Sequence, residues 1–364
     1  MKGASFLRPK QQLFITFLVI LGTLLSNLPV TASEFNFSVT PITPENQIDK
    51  RKTYFDLQLD PDQEAELKAE LRNDTEKEVK IGLSVNSATT NSNVMVEYGK
   101  NKIEKDESLL FDLTDYVGYP KTVTLEPKSV QTVVFHVKMP NDRFDGVMAG
   151  GITFQEIQPE KEQTENKDQS LSIENEYTYV VALLMRQSLN EVAPNLVLHE
   201  VKPDQINARN VILANVQNDQ KTYINQVVIE TKITKKGQSK VLYQEEREDL
   251  QIAPNTNFSF PTALNGDPLT PGEYHLTMTV LGNENKNGKF SRKKENTTIN
   301  YSDQWIFEKD FTIDGKIAKE LNTQDVTIKE DNRWIYHLVA SLFVLLMLLL
   351  ILWFILKKKE DKKS

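Results

Sequence analysis

Residues 64–85, EAELKAELRNDTEKEVKIGLSV, contain two hydrophobic alternations around a polar turn. Every second residue of 64–71 is apolar, although most residues of this segment favour helices. Val79, Ile81, Leu83 and Val85 repeat the alternation after the turn residues 73–75. Because successive side chains of a β-strand point to opposite faces, this period of two predicts two strands that each bury one face.

The same period recurs along most of the chain, in segments separated by prolines and polar turns. A helical turn around residues 109–117 is the expected interruption. Short strands at this spacing favour antiparallel sandwiches. We therefore predict a mostly β protein with two antiparallel, Ig-like β-sandwich domains, at residues 35–157 and 171–318. The candidate strands are 35–39, 133–137 and 148–156 in the first domain, and 196–201, 211–216, 224–233, 258–260, 274–280 and 305–313 in the second.

Residues 158–170, QPEKEQTENKDQS, contain no apolar side chain and cannot contribute to a core. We interpret them as a polar loop or an interdomain linker. The alternating segment 174–189 follows them. If 158–170 is a loop within a hairpin, this segment pairs back onto 148–156; if it is a linker, the segment belongs to the second domain. The sequence leaves both possibilities open.

Both ends of the chain are strongly hydrophobic. Residues 1–32 combine three basic residues, an apolar core and small residues before a cleavage point, which is the layout of a secretory signal peptide. Residues 334–356 are apolar and uncharged, and the basic tail 357–364 follows them. As a helix this run would measure roughly 35 Å, enough to cross a hydrocarbon core of about 30 Å. We therefore predict one C-terminal transmembrane helix, preceded by a polar juxtamembrane stalk at 319–333.

The lysines of the tail set the expected orientation. By the positive-inside rule the tail is cytoplasmic and the N-terminal ectodomain lies outside the cell membrane. The signal and the tail each carry a charge of +3. Because the net charge of the whole chain is −8, the remaining residues together carry −14. This acidity disfavours nucleic acid as a partner. An exported chain with no cysteine suits the cell wall zone of a Gram-positive bacterium better than a disulfide-rich ectodomain.

The sequence contains no recognisable catalytic motif. It lacks a P-loop, GxGxxG, HExxH and GxSxG, and without cysteine it has no thiolate metal site or cysteine nucleophile. We expect no cofactor and no metal. His136, His199 and His275 each lie alone in a predicted strand. Two alternatives stay open: a glycosidase-like carboxylate pair, and a calcium loop around Asp142 and Asp145.

Residues 146–152, GVMAGGI, place three glycines in or beside a predicted strand. Glycine weakens a strand because it has no side chain to pack. Such glycines mark either a β-bulge or a place where another backbone or a ligand comes close. We favour the bulge and keep the close approach as the functional interpretation.

Several short motifs in a fixed order carry a family resemblance. They are FSVTPITPENQ at 37–47, YFDL at 54–57, LRN at 71–73, ATTN at 88–91 before Glu97-Tyr98, MP at 139–140, FDG at 144–146, GGI at 150–152, APN at 253–255, LTPGEY at 269–274 and WIFEKDF at 305–311. This series resembles the WxL-interacting proteins over essentially the whole ectodomain, together with the signal, the span and the lysine tail. One departure concerns the turn at 91–94, because Val94 follows Asn93 where the family often has a glycine.

The resemblance implies a two-module surface protein of low-GC Gram-positive bacteria that is not an enzyme. Its first module would bind peptidoglycan, and its second would bind a host extracellular protein, while the family also partners secreted WxL-domain proteins. We expect recognition by sheet faces or edge strands. The runners-up are an extracellular wall hydrolase and a structural spacer. Our candidate contact residues are Tyr54, Phe55, Asn91, Tyr98, Gly146, Gly150, Gly151 and Ile152 in the first module, and Asn255, Phe258, Tyr274 and Trp305 in the second.

Overall fold

The structure is a computed structural model that describes residues 36–158, 177–328 and 339–349. The predicted signal peptide, most of the polar segment 158–170 and the basic tail lie outside the described residues. The described part is mostly β and forms two units of packed sheets, which residues 187–195 connect.

The first unit consists of two sheets around a common core. Its strands are β1 (Ser38–Ile42), β2 (Phe55–Gln58), β3 (Glu64–Arg72), β4 (Val79–Ser87), β5 (Thr89–Thr90), β6 (Val96–Glu97), β7 (Val117–Gly118), β8 (Thr122–Leu125), β9 (Val130–Lys138), β10 (Met148–Glu156) and β11 (Thr178–Arg186). One sheet has the order β1-β3-β9-β7 and the other β2-β11-β10-β4-β8, while β5 and β6 form a separate hairpin. The predicted helical turn is a short 3₁₀ helix at Leu113–Asp115.

The hydrophobic alternation decides which side chains fill this core. β3 buries Leu67, Ala69 and Leu71 on one face, and β4 does the same in the opposite sheet with its own alternating residues. Phe135 of β9 and Phe154 of β10 meet between the sheets with their ring centroids 5.9 Å apart. Segment 64–71 is therefore a strand, as its period predicts, because burial of one face outweighs the helix preference of its residues.

The second unit also packs two sheets around one core. Its elements are β12 (Leu196–Ile206), β13 (Arg209–Asn218), β14 (Ile224–Lys235), β15 (Val241–Ile252), β16 (Thr256–Ala263), β17 (Gly272–Glu284), β18 (Phe290–Lys294), β19 (Thr297–Ile313) and helix α1 (Gly315–Gln324). The sheet orders are β12-β13-β16 and β15-β14-β17-β19-β18. Ile233, Phe260 and Met278 are fully buried between them.

The segment that the sequence left open, 174–189, contributes β11 to the first unit. β11 pairs antiparallel with β10 from Met148↔Met185 to Gln155↔Thr178, and its other edge pairs in parallel with β2. β10 and β11, the strands before and after the polar segment 158–170, are therefore paired with each other, while residues 159–170 lie outside the described residues. The second unit begins with β12 at Leu196, later than the predicted start at residue 171.

The first part of the predicted stalk is helix α1, which is fastened to the second unit. Asp314 caps the helix, its Oδ1 accepting from the Lys316 amide at 2.8 Å. Asn322 accepts from the Leu269 amide at 2.8 Å and donates to its carbonyl at 2.9 Å. Asp325 accepts from the Asn210 amide at 2.7 Å. These contacts explain why the polar residues 319–325 pack on the second unit; residues 329–333 of the predicted stalk lie outside the described residues.

The predicted membrane span is described only in part. Residues 339–349 are helical, and the remainder of 334–356 lies outside the described residues. In the part of the chain that the structure describes, no helix combines the length and the apolar character that crossing a membrane requires. The transmembrane helix stays a prediction.

Candidate functional site

Four of the candidate contact residues are buried in the cores. Phe55 and Ile152 belong to the core of the first unit, and Phe258 and Tyr274 to that of the second. The Tyr274 hydroxyl donates to the Thr270 carbonyl at 2.7 Å inside its own unit. Because each lies on the inward side of its strand, these side chains offer no surface to a ligand, which corrects their selection as contact residues. Tyr54 and Trp305 are half-buried and pack against the same cores.

The hairpin of β5 and β6 reaches from the first unit into the second. Asn91 shapes its turn: Oδ1 accepts from the amides of Asn93 at 2.9 Å and Met95 at 3.1 Å, and Nδ2 donates to Glu97 at 2.7 Å. At the tip of the turn, Val94 is fully buried in the core of the second unit. Asn91 therefore acts within the protein, where it positions Val94.

Hydrogen bonds fix this hairpin to the second unit. Thr90 donates its amide to the Thr256 hydroxyl at 3.0 Å and accepts from the Ala253 amide at 2.9 Å. The Val94 carbonyl accepts from the Gln251 amide at 3.1 Å. We call the contact region between the two units, which includes these residues, the seam.

Asp106 and Asn255 are the polar centre of the seam. Asp106, from the first unit, accepts from Gln217 at 2.8 Å and from Asn257 at 2.9 Å. Burial by itself raises the pKa of Asp106, but hydrogen bonds from Ser108, Asn257 and Gln217 outweigh burial and hold the pKa below its usual value. Asn255 donates to the Ser108 carbonyl at 3.0 Å. This candidate contact residue thus binds the other unit of its own chain.

The glycines of segment 146–152 allow close approaches within the protein. The register of β10 with both neighbours runs without a shift, so the expected bulge is not the explanation. A Cβ on Gly146, where φ is +91°, would overlap the Lys221 carbonyl oxygen of the second unit. A Cβ on Gly150 would overlap the Asn86 carbonyl oxygen, and one on Gly151 would lie 2.6 Å from the Tyr98 Cβ. Glycine is required because backbone and side chains occupy the space of its missing side chain.

Tyr98 also crosses the seam. Its hydroxyl lies 3.2 Å from the Tyr223 hydroxyl. Burial raises the pKa of Tyr98 and raises that of Tyr223 further, so both phenols stay neutral hydrogen-bonding groups at any physiological pH. Six of the twelve candidate residues, namely Asn91, Tyr98, Gly146, Gly150, Gly151 and Asn255, are accounted for by packing and hydrogen bonding within the chain.

An open trough of 550 Å³ lies on the outer face of β4, β10 and β11. Gly82 and Gly99 line it, and the Ile157 side chain packs over Gly82. The Ser84 and Thr153 hydroxyls lie 2.9 Å apart, and the exposed apolar side chains of Ile157 and Val180 border the floor. The sequence analysis missed these residues, although they are the outward half of the alternation that predicted the strands.

The trough combines hydrogen-bonding groups with apolar surface, and its described lining contains no pair of acidic side chains. Glu156 is the one carboxylate that lines it among the described residues, and both of its oxygens accept from Asn36, at 3.0 and 2.9 Å. A glycosidase needs two converging carboxyl groups. The trough therefore suits binding of a polar ligand better than its hydrolysis.

The described residues contain no cluster of three or more side chains suited to hold a metal ion. Asp145, which the sequence offered as part of a calcium loop, accepts from Asn190 at 3.0 Å. Hydrogen bonds from Ser188 and Asn190 lower the pKa of Asp145. Its carboxylate thus fastens the connection between the units to the loop before β10.

Comparison with known proteins gives two family matches. Residues 37–156 match the peptidoglycan binding domain of the WxL Interacting Protein, and residues 168–323 match the host binding domain of the same protein. A search of curated proteins found no match.

Solved structures give only distant likenesses. The class 5 fimbriae chaperone CfaA is 14% identical, with 75% of this chain and 99% of that chain covered and a TM-score of 0.28. The E. coli chaperone DraB is 13% identical, with 68% and 92% covered and a TM-score of 0.27. The Salmonella enterica SafA pilin in complex with the SafB chaperone gives 10% identity, 76% and 98% coverage and a TM-score of 0.27. At TM-scores this low the likenesses carry no conclusion about this chain.

Proposed function

Because the chain belongs to the WxL-interacting protein family, we propose that it is a non-enzymatic binding protein of the Gram-positive cell surface. Its two Ig-like sandwich modules lie outside the membrane, held by a C-terminal helix at 334–356 with the basic tail inside. The first module binds peptidoglycan, and the second binds a protein, either a secreted WxL-domain protein or a host protein. The matched binding domains and the hydrophobic ends of the sequence support this assignment.

The trough is the proposed peptidoglycan surface of the first module. Glycan rings have apolar faces and a rim of hydroxyl groups. Val180 and Ile157 supply apolar contact, and the half-buried Ser84 hydroxyl, which lies 2.9 Å from the buried Thr153 hydroxyl, supplies a group that can donate and accept hydrogen bonds. The single observation that carries the proposal is this open face, where exposed apolar side chains border polar groups. Each contact is weak, and the membrane anchor beside the wall raises the effective concentration of the two partners.

A pelleting assay with purified peptidoglycan tests the trough. Val180→Glu places a carboxylate on the apolar border, where Val180 is 45% exposed. We expect roughly tenfold weaker binding, since a ligand would have to cover a charge and lose an apolar contact. Val130→Glu is the matched control, because Val130 is a 55% exposed strand valine on the other sheet. Equal loss in both variants, or in neither, would contradict the trough as the binding face.

The outer face of the five-stranded sheet is the proposed protein-binding surface of the second module. Trp305 and Phe307 pack inward against the core, so Ile306 between them points outward and is 61% exposed. It lies on β19, beside Thr279 of β17, in the part of β19 that extends beyond its pairing with β18. An isolated exposed isoleucine at such a position supplies apolar contact for a protein partner.

Ile306→Asp should reduce binding of a WxL-domain protein from the same organism by roughly tenfold, the effect of replacing an interface apolar group by a charge. Val241→Asp provides the comparison, because Val241 is exposed at the edge strand β15 of the same sheet. Surface plasmon resonance of both variants against the immobilised partner measures the difference. If Val241→Asp loses binding and Ile306→Asp keeps it, the edge strand is the recognition surface.

A further inference from the structure

A second cavity, separate from the trough, opens between the two units. It has a volume of 740 Å³, which is within the range of pockets that hold small ligands. Residues 188–194 of the connection form one wall, and the turn between β13 and β14 forms another together with the ends of β17 and β19. We call this cavity the seam cleft.

Two cationic residues border the seam cleft, and the backbone of each lies close to Val147. The Val147 amide donates to the Lys221 carbonyl at 2.8 Å, and Arg186 directly follows Met185, the strand partner of Met148. Both Lys221 and Arg186 line the cleft. Among the described residues, Lys221 takes part in no ion pair.

The charge of Arg186 is compensated only in part. Its Nη2 donates to Asp56 at 2.8 Å, but Asp56 also accepts from Lys52 at 2.9 Å. One carboxylate therefore faces two cations. In addition, Arg186 Nε is buried and has no hydrogen-bond partner in the described part of the chain. Leaving a buried donor unpaired is unfavourable, so the hydrogen-bonding capacity of this guanidinium is only partly satisfied within the described part of the chain.

The second unit lines the cleft with side-chain amides and one carboxylate. Asn283 Nδ2 donates to Asp303 at 2.8 Å, and Asn283 Oδ1 accepts from the Asn225 amide at 3.0 Å. Asn285 Nδ2 donates to the Ser302 hydroxyl at 3.1 Å. These contacts hold the Asn283 and Asn285 amides and the Asp303 carboxylate in place along one wall of the cleft.

We propose that the seam cleft binds the carboxylate end of a short peptide. The carboxylate lies at Arg186 and Lys221, the two cations of a lining that also contains the carboxylates Glu191 and Asp303, and the peptide amides follow Asn225, Asn283 and Asn285. Arg186 is suited to this because its planar guanidinium forms directed hydrogen bonds with a carboxylate. This site is distinct from the proposed glycan face, and its ligand is a peptide terminus of either the wall or a protein.

Isothermal titration of the full chain in mild detergent tests the site, with tri-D-alanine and its C-terminal amide as probes. We expect the free acid to bind roughly tenfold more tightly than the amide, the effect of one charge-assisted contact. Lys221→Met should remove this preference. Lys240→Met should keep it, because Lys240 is an exposed lysine in the connection between β14 and β15, remote from the cleft lining.

Equal affinity of the acid and the amide for the unmodified chain overturns the proposal, as does an unchanged preference in Lys221→Met or the absence of binding at millimolar peptide. Thermal unfolding of each variant establishes that its fold is intact. The Val180→Glu variant should retain peptide binding, which separates failure of the cleft from failure of the trough. Tri-L-alanine identifies the source: tighter binding than tri-D-alanine indicates a protein terminus, and weaker binding indicates a wall peptide.

Discussion

At the residue scale, Val94 combines a left-handed backbone with a buried side chain. Its φ is +58°, a region that costs a residue with a Cβ about 1–2 kcal/mol. Its side chain is fully buried in the core of the second unit. A glycine would suit the backbone at this position, whereas the valine of this chain suits the core that the hairpin enters. Burial maintains the strained conformation.

This balance predicts the order of stability of two variants of Val94. Val94→Ala loses about 2 kcal/mol of buried contacts and keeps the left-handed strain. Val94→Gly also loses the buried Cβ, about 0.8 kcal/mol, but is relieved of the strain of about 1–2 kcal/mol. We therefore expect wild type, then Val94→Gly, then Val94→Ala in decreasing free energy of unfolding, as measured by urea denaturation of residues 33–333.

Met95→Ala is the control for the Val94 variants, because Met95 is the next residue of the same hairpin and is 48% exposed. Its free energy of unfolding should change by less than about 0.5 kcal/mol. A glycine variant less stable than the alanine variant would show that the strain is unimportant. No effect of either would show that Val94 does not fill the core in solution.

At the scale of elements, periodicity predicts the strands that bury one face and misses those that do not. β3, β4 and β9 alternate, and the sequence identifies each of them; β10 is also identified, although its first seven residues are all buried. β2 buries three consecutive residues and so shows no alternation. β15, VLYQEEREDLQI, is an edge strand whose charged residues reach solvent, and its three register irregularities interrupt the period. The unit to which β11 belongs depends on its pairing, which no local pattern contains.

The candidate site could be predicted only in part for the same reason. The glycines at 146–152 and Asn255 stand out in the sequence because they tolerate unusual backbone or close contacts, as Asn255 does at φ +47°. The sequence does not say what comes close, and the structure identifies the other unit of the same chain. The trough residues Gly82, Ser84 and Thr153 are small or polar at outward positions, so they resemble any solvated strand face until three strands place them side by side.

At the scale of the whole molecule, the seam makes the two units interdependent. The second unit receives Val94 from the first, and its Gln217 and Asn257 both donate to Asp106 of the first. Separation of the units would remove Val94 from the core of the second unit and leave a cavity there. It would also break the hydrogen bonds that Asp106 accepts from Gln217 and Asn257. Such losses favour unfolding of both units in one transition. It follows that sites on the two modules keep a fixed distance while the protein remains folded.

Because Asp106 is part of the seam, the stability of the seam should depend on pH. The pKa of Asp106 in the folded protein lies below its ordinary value of 3.8, because the hydrogen bonds from Ser108, Asn257 and Gln217 outweigh the effect of burial. Its stabilising contribution is therefore present above pH 3.8 and is lost as the pH falls through the lower, folded value. Asp106→Asn replaces one carboxylate oxygen, and the hydrogen bond that it accepts from Gln217 or Asn257, by an NH₂ group that faces the donor, and should cost about 2 kcal/mol at neutral pH. Calorimetry of residues 33–333 should show one transition for the wild type, and the difference in melting temperature between wild type and Asp106→Asn should shrink in acid.

The control is Asp142→Asn, which changes an exposed residue and should match the wild type at every pH. A difference that stays constant with pH would mean that the charge of Asp106 does not hold the seam, and two transitions at neutral pH would mean that the units fold independently.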